Sequence, residues 1–158
     1  MDMDNNIPPC NIRIDKNGVW YFQGAEIIRQ DIVEMFYSNM EKDEQGRYLI
    51  RMGKEICWLE VEDTPWIVKG VDFIPGSEEN PPAFQIRLSD NSNENLNLNE
   101  LWMNEENVFY CKVKSGKFVA RFSRNAYYEF SKFIQYDEEN QQYFISLDDK
   151  SYIIRLKS

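Results

Sequence analysis

Apolar positions in this chain recur mostly every second residue, over short stretches bounded by turn formers, and only twice at helical spacing. Asn11 to Asp15 alternates, with Ile12 and Ile14 on one face, and Lys16-Asn17-Gly18 then gives a strong hairpin signal, because Asn-Gly tolerates positive φ. Val19 to Phe22 is the return strand and Gln23-Gly24 a second turn. Ile32, Val33, Phe36 and Met40 fall at helical spacing, which predicts a helix over 30–41 with Asp31 favouring its start. Strands follow at 47–51 and 55–61 across Met52-Gly53-Lys54, and another at 66–73, where Pro65 marks a strand start or an edge. Pro75 to Pro82 is turn-forming and charged. Beyond it the pattern predicts strands at 83–88 and, through an asparagine-rich segment, at 95–102. A hairpin over 107–113 and 117–122 leads into a second helix, from Arg124 or Asn125 to Gln135, with Tyr127, Phe130 and Ile134 inward. Strands at 142–147 and 151–156 finish the chain. Residues 1–10 read as a loose polar tail stiffened by Pro8 and Pro9.

One part of this pattern is written twice. Sliding Val19–Val61 over the C-terminal stretch without a gap sets Arg29 on Arg124, Glu34 on Glu129, Glu44 on Glu139, Tyr48 on Tyr143 and Ile50 on Ile145. The expected fold class is therefore α+β: two related strand-helix-strand units with antiparallel sheets, one helix packed on each. The expected division is an N-terminal repeat unit at 1–62 and a C-terminal unit at 63–158.

Composition narrows the chemistry. Aromatics make up 15% of the residues and are spread along the length, which excludes disorder for most of the chain. No apolar run approaches the ~18 residues of a membrane helix, and Met-Asp-Met-Asp is the wrong start for a signal peptide, so a cytoplasmic protein with no membrane span is expected. Cys10, Cys57 and Cys111 are odd in number and far apart, which argues against a disulfide framework and a zinc site; Cys57 and Cys111 sit in strand patterns as small core hydrophobes. The chain has no histidine, which removes Ser-His-Asp and Cys-His catalysis and histidine-ligated metals. The acid clusters at Glu60, Glu62 and Asp63, at 137–139 and at Asp148-Asp149 lack calcium-loop spacing, and no glycine-rich phosphate loop is present. No catalytic residue, metal or cofactor is expected.

Net charge is −9, yet Lys112 to Arg124 holds five cations and no acid. So acidic a protein is repelled by bare phosphate backbone, which argues against non-specific nucleic-acid binding. The basic strip can instead attract a small anion: a nucleotide, a phosphorylated metabolite or an acidic peptide. Solvated lysines on a sheet face are the plainer account of it. Trp20 and Tyr21 beside Gly24 and Arg29 suggest an aromatic floor for a planar ligand, set against ordinary strand packing. Arg29 and Arg124 each open a helix, where a positive charge opposes the dipole and implies a specific partner, the simplest being an ion pair with Glu34 or Glu129, or with the other half.

Pro8-Pro9, the segment Asn17-Gly18-Val19-Trp20-Tyr21-Phe22-Gln23-Gly24-Ala25-Glu26-Ile27-Ile28-Arg29, the pair Met35-Phe36, the turn Asp43 to Tyr48, the run Val61-Glu62-Asp63-Thr64-Pro65-Trp66, and Gly116 to Phe130 with Ala120-Arg121 and Arg124 resemble, in that order, a bacterial domain-of-unknown-function family, number twelve-eighty-five. The resemblance implies a duplicated core, a second half superficially like pleckstrin-homology folds, and a pocket where the halves meet. It implies no established activity. Two stretches depart from the family pattern: Met52-Gly53-Lys54-Glu55 and Ser146 to Tyr152. The expected function is a non-enzymatic binding module, with a place in signalling, for a small anionic or planar ligand between the halves. Its site residues are Trp20, Tyr21, Arg29, Trp66, Lys112, Lys114, Arg121 and Arg124. The alternatives are a protein–protein adaptor using an exposed sheet edge and, last, a metal-dependent hydrolase with paired carboxylates.

Overall fold

The computed structural model describes residues 6–157, so residues 1–5 of the expected tail lie outside the described residues. The chain divides into two compact units between Pro65 and Trp66. The first contains β1 (Pro9–Ile14), β2 (Trp20–Phe22), β3 (Ala25–Glu26), α1 (Gln30–Ser38), β4 (Met40–Lys42), β5 (Tyr48–Met52) and β6 (Glu55–Val61). These strands form one six-stranded sheet in the order β3-β2-β1-β6-β5-β4. The Asn17-Gly18 turn closes as its chemistry dictates: Gly18 takes φ 84 and its N–H donates to the Asp15 carbonyl. Pairing Ile14 with Trp20 then puts both on the face that holds the unit's core. Trp20 is 3% exposed, stacked on Phe36 and edge-on to Tyr37 of α1. The Tyr37 hydroxyl donates to the Pro65 carbonyl at 2.8 Å, which satisfies the one polar atom that the ring carries inward.

α1 is shorter than its apolar spacing predicts. Asn39 closes the last turn, its N–H donating to the Phe36 carbonyl and its side-chain amide to that of Met35. Met40 then leaves the helix and is buried in β4 opposite Ile50. One apolar residue satisfies either period, so only the cap settles it.

Cys10 and Cys57 form a disulfide, with Cα atoms 5.0 Å apart, against the expectation from their number and spacing. The cause is topological. β1 and β6 run parallel side by side, with Pro9 opposite Trp58, so cysteines separated by 47 residues become neighbours. Cys57 is therefore bonded rather than a free core hydrophobe. Cys111, by contrast, is a free, buried thiol, pushed far above its usual pKa by burial and then by the carboxylates of Glu94 and Glu100.

The second unit runs β7 (Trp66–Ile74), β8 (Ala83–Leu88), β9 (Asn93–Asn95), β10 (Leu101–Met103), β11 (Phe109–Val113), β12 (Phe118–Phe122), α2 (Arg124–Ser131), β13 (Ile134–Asp137), β14 (Gln142–Leu147), β15 (Lys150–Ile153) and β16 (Arg155–Leu156). Seven strands form a mixed sheet in the order β16-β10-β11-β12-β7-β8-β9, and β13-β14-β15 a separate three-stranded one. The single strand expected at 95–102 is two short ones, because Asn97 caps a 3-10 turn at Leu98–Glu100 with its side chain. Phe130 of α2, wholly buried, meets the rings of Phe84, Phe109 and Phe122. At the irregularity of β7 between Val68 and Gly70, Glu129 of α2 accepts the Val71 N–H at 3.0 Å. The helix thus supplies a partner where the ladder is interrupted.

These facts correct the expected fold class. The described residues are 48% strand and 14% helix, with three sheets and two short α-helices, not a balanced α+β pair. Its sheets are not purely antiparallel either, since β1/β6, β7/β12 and β10/β16 pair in parallel. Nor is a duplicated core shown. The order helix, then three strands in hairpins, does recur locally. Ile50 opposite Cys57 in one copy corresponds to Ile145 opposite Tyr152 in the other. The preceding hairpin slips: Met40 faces Ile50, whereas Ile134, not Gln135, faces Ile145. A one-residue slip exchanges faces. In the first unit those strands extend the six-stranded sheet through β6, while in the second they stand as a sheet of their own.

Candidate anion-binding groove

Pairing across the seven-stranded sheet sets Arg121 opposite Tyr110, Tyr110 opposite Trp102, and Trp102 opposite Arg155. Paired residues share a face, so these four form one row across β12, β11, β10 and β16. With neighbouring strands ~4.8 Å apart, the row spans about 14 Å. The alternation of β10 explains the outward tryptophan: Leu101 and Met103 are buried on the opposite face. Trp102 and Tyr110 stack at 5.9 Å, and Lys157 Nζ lies 4.5 Å above the Trp102 ring. Lys112, two residues beyond Tyr110, shares its face, and its ammonium is 3.8 Å from Glu100 Oε2.

Two adjoining cavities border this row. One, about 220 Å³, is lined by Glu100, Trp102, Lys112 and Lys157, among others. The other, about 490 Å³, has Leu98 and Asn99 on one wall and Lys150, Ser151, Tyr152 and Ile153 on the other. Asn99, Leu101 and Arg155 line both. Four cations thus face one carboxylate in a chain whose net charge is −9. Such a groove favours an anion, held by ammonium and guanidinium donors beside two aromatic faces.

The residues expected from the sequence have different fates. Lys112 and Arg121 lie on the groove's sheet face, Arg121 half-buried. Lys114 and Trp66 do come together, but in a closed network. Lys114 Nζ sits 2.7 Å from Asp90 and 2.8 Å from the Ser92 hydroxyl, and 5.8 Å from the ring of the buried Trp66. Burial of Asp90 opposes its charged form, but hydrogen bonds from Lys114, Ser92 and Trp66 prevail and hold the carboxyl below the usual range. Arg124 is exposed at the first position of α2, where Ser123 is the cap, accepting the Ala126 N–H at 3.1 Å. Trp20, Tyr21 and Arg29 belong to the first unit. Trp20 is core, as the packing account held. Tyr21 points to the other face, with Arg13 4.5 Å over its ring and Asp15 accepting its hydroxyl. It borders a cavity of about 250 Å³ with Arg13, Trp58 and Glu60. Arg29 flanks α1 without capping it by its side chain and pairs with Asp31 at 2.6 Å, fully on the surface, rather than with Glu34.

Trp102, Lys150, Arg155 and Lys157 were missed by the sequence reading. A signal was available: from Lys150 to the end the chain carries three cations and no acid, with Arg155 and Lys157 at strand spacing. Among the described residues no group of three or more His, Cys, Asp or Glu is placed to hold a metal ion, and no helix is long and apolar enough to cross a membrane.

Comparison with known proteins bears on the fold and family. Residues 5–64 match the model of the N-terminal domain of DUF1285, a domain of unknown function. A crystal structure of a DUF1285 family protein from Silicibacter pomeroyi DSS-3 is similar to this chain at a TM-score of 0.75 and 16% identity, over 95% of this chain and 84% of that one. A second DUF1285 family protein, from Shewanella baltica OS155, aligns at a TM-score of 0.63 and 18% identity, over 78% of this chain and 91% of that one. No curated protein matches. The first unit is thus similar to the N-terminal domain of DUF1285, a domain of unknown function, and the chain shares its fold with two proteins of that family.

Proposed function

We propose that the protein is a non-enzymatic binding module that takes an anionic ligand in the groove along β10 and β16. One observation carries this reading: sheet register gathers Lys112, Arg155 and Lys157 around the outward ring of Trp102 in a chain that is otherwise strongly acidic. The groove offers ammonium and guanidinium donors beside aromatic faces, which suits the binding of an anion. The pleckstrin-homology likeness and a role in signalling add nothing to this site and are not needed for it.

Thermal unfolding at low salt tests the reading, with pyrophosphate, nucleotides and phosphorylated sugars as probes. A ligand at 100 times its dissociation constant adds about 2.7 kcal/mol, a clear rise in midpoint. The rise should vanish in the Lys112→Glu/Arg155→Glu variant and persist in Arg29→Glu. A panel without any rise, or a rise that survives the charge reversal, would refute the site.

A further inference from the structure

We infer that the groove's ligand is an acidic peptide segment, bound in extended form along the open edge of β15 that faces the groove. This rests on the anion-binding reading above and names its ligand class. β15 ends the three-stranded sheet, with β14 on one side, and the chain then pairs with β10 through β16 on the other side, so the edge of β15 that faces the groove is open over Lys150 to Ile153. Among the described residues that side of β15 has no ladder partner, and it is the surface an added strand uses.

The shape of the groove agrees. β10 and β16 are paired only at Trp102–Arg155 and Met103–Leu156. N-terminal to that pair the two segments part: one becomes the 3-10 turn Leu98–Glu100, and the other joins β14. The larger cavity fills the fork, and the smaller continues it past Arg155 to Lys112 and Lys157. Cations therefore recur along an elongated path, with Lys150 in one lobe, Arg155 at the waist and Lys112 with Lys157 in the other. A single phosphate would engage one lobe only. Carboxylates spaced along a chain would engage both. Apolar side chains beside the edge, Ile153 at 51% and Leu156 at 69% exposure, supply contacts for the residues between those carboxylates.

Cations on an edge strand also serve to block unwanted strand pairing. Here that device sharpens specificity, since charge of one sign repels basic strands and admits acidic ones.

The test is fluorescence anisotropy of a labelled peptide with leucines spaced among glutamates, titrated with the full chain at low salt. Binding should weaken by at least about tenfold in Arg155→Glu/Lys157→Glu, and amide exchange at Ser151 and Ile153 should slow in the complex. A lysine-for-glutamate peptide should not bind, and backbone N-methylation of the acidic peptide should abolish binding. If pyrophosphate raises the unfolding midpoint while the peptide fails to bind, the peptide inference is overturned and the anion site stands. If neither binds, both fall. Undiminished binding of the N-methylated peptide, or of the peptide to the charge-reversed variant, would overturn strand addition along this edge.

Discussion

Asp90 takes donors from Lys114, Ser92 and Trp66, which shows why Lys114 and Trp66 are near each other without forming an open site. Removing it in Asp90→Ala leaves Lys114 and the Ser92 hydroxyl short of an acceptor, and should cost about 2 kcal/mol in urea unfolding. The pH dependence has a definite sign. The carboxyl's folded pKa is depressed, so its contribution is complete above the ordinary carboxylate value and is lost as pH falls through the lower folded value. Asp90→Asn should flatten stability against pH in that acid window. At the cysteines, denatured protein without reductant should titrate a single thiol, Cys111, against all three after reduction, and native protein should show none that reacts quickly. Residue types carried part of this in the sequence. Trp20 as packing and Lys112 as a groove cation could be read from strand alternation and local charge. The Asp90–Lys114 link and the Cys10–Cys57 bond could not, because each joins residues far apart in the chain.

The helices show what local sequence decides. Their starts were legible because capping and first-turn residues are local, yet the resemblance of Arg29 to Arg124 misled. Arg29 flanks α1 from outside, whereas Arg124 is inside α2 and Ser123 does the capping. Ser123→Ala should therefore lower stability by about 1 kcal/mol, and Arg124→Ala should stay within about 0.5 kcal/mol of wild type, compared by denaturant midpoints. Helix ends were not legible: Met40 and Ile134 fit a helical or a strand period equally and belong to strands. Glu129, which holds the irregular stretch of β7, was aligned with Glu34 by sequence but has a role set entirely by tertiary position.

Across the molecule, the repeat in sequence reflects a helix-and-hairpin order, not a shared core. Hairpins can be read from alternation and turns, but the parallel pairings that define each sheet join distant strands and leave no local mark. Phe130 is the clearest core anchor, and Phe130→Ala should cost about 3–5 kcal/mol in the second unit. In the first, a bond across 47 residues constrains the unfolded chain by up to about 4 kcal/mol, so reductant should lower that unit's midpoint. Disulfides are rare in the cytosol, so a formed Cys10–Cys57 bond runs against the cytoplasmic expectation, and thiol counting on rapidly quenched cells decides between them. The central claim, however, is the groove. Its most direct test is a nitrogen-15 NMR titration of the intact chain with pyrophosphate at low salt. The account predicts shifts confined to Asn99, the Trp102 indole, Lys112 and Arg155–Lys157. Shifts centred on Arg13 and Tyr21, or none at saturating pyrophosphate, would contradict it.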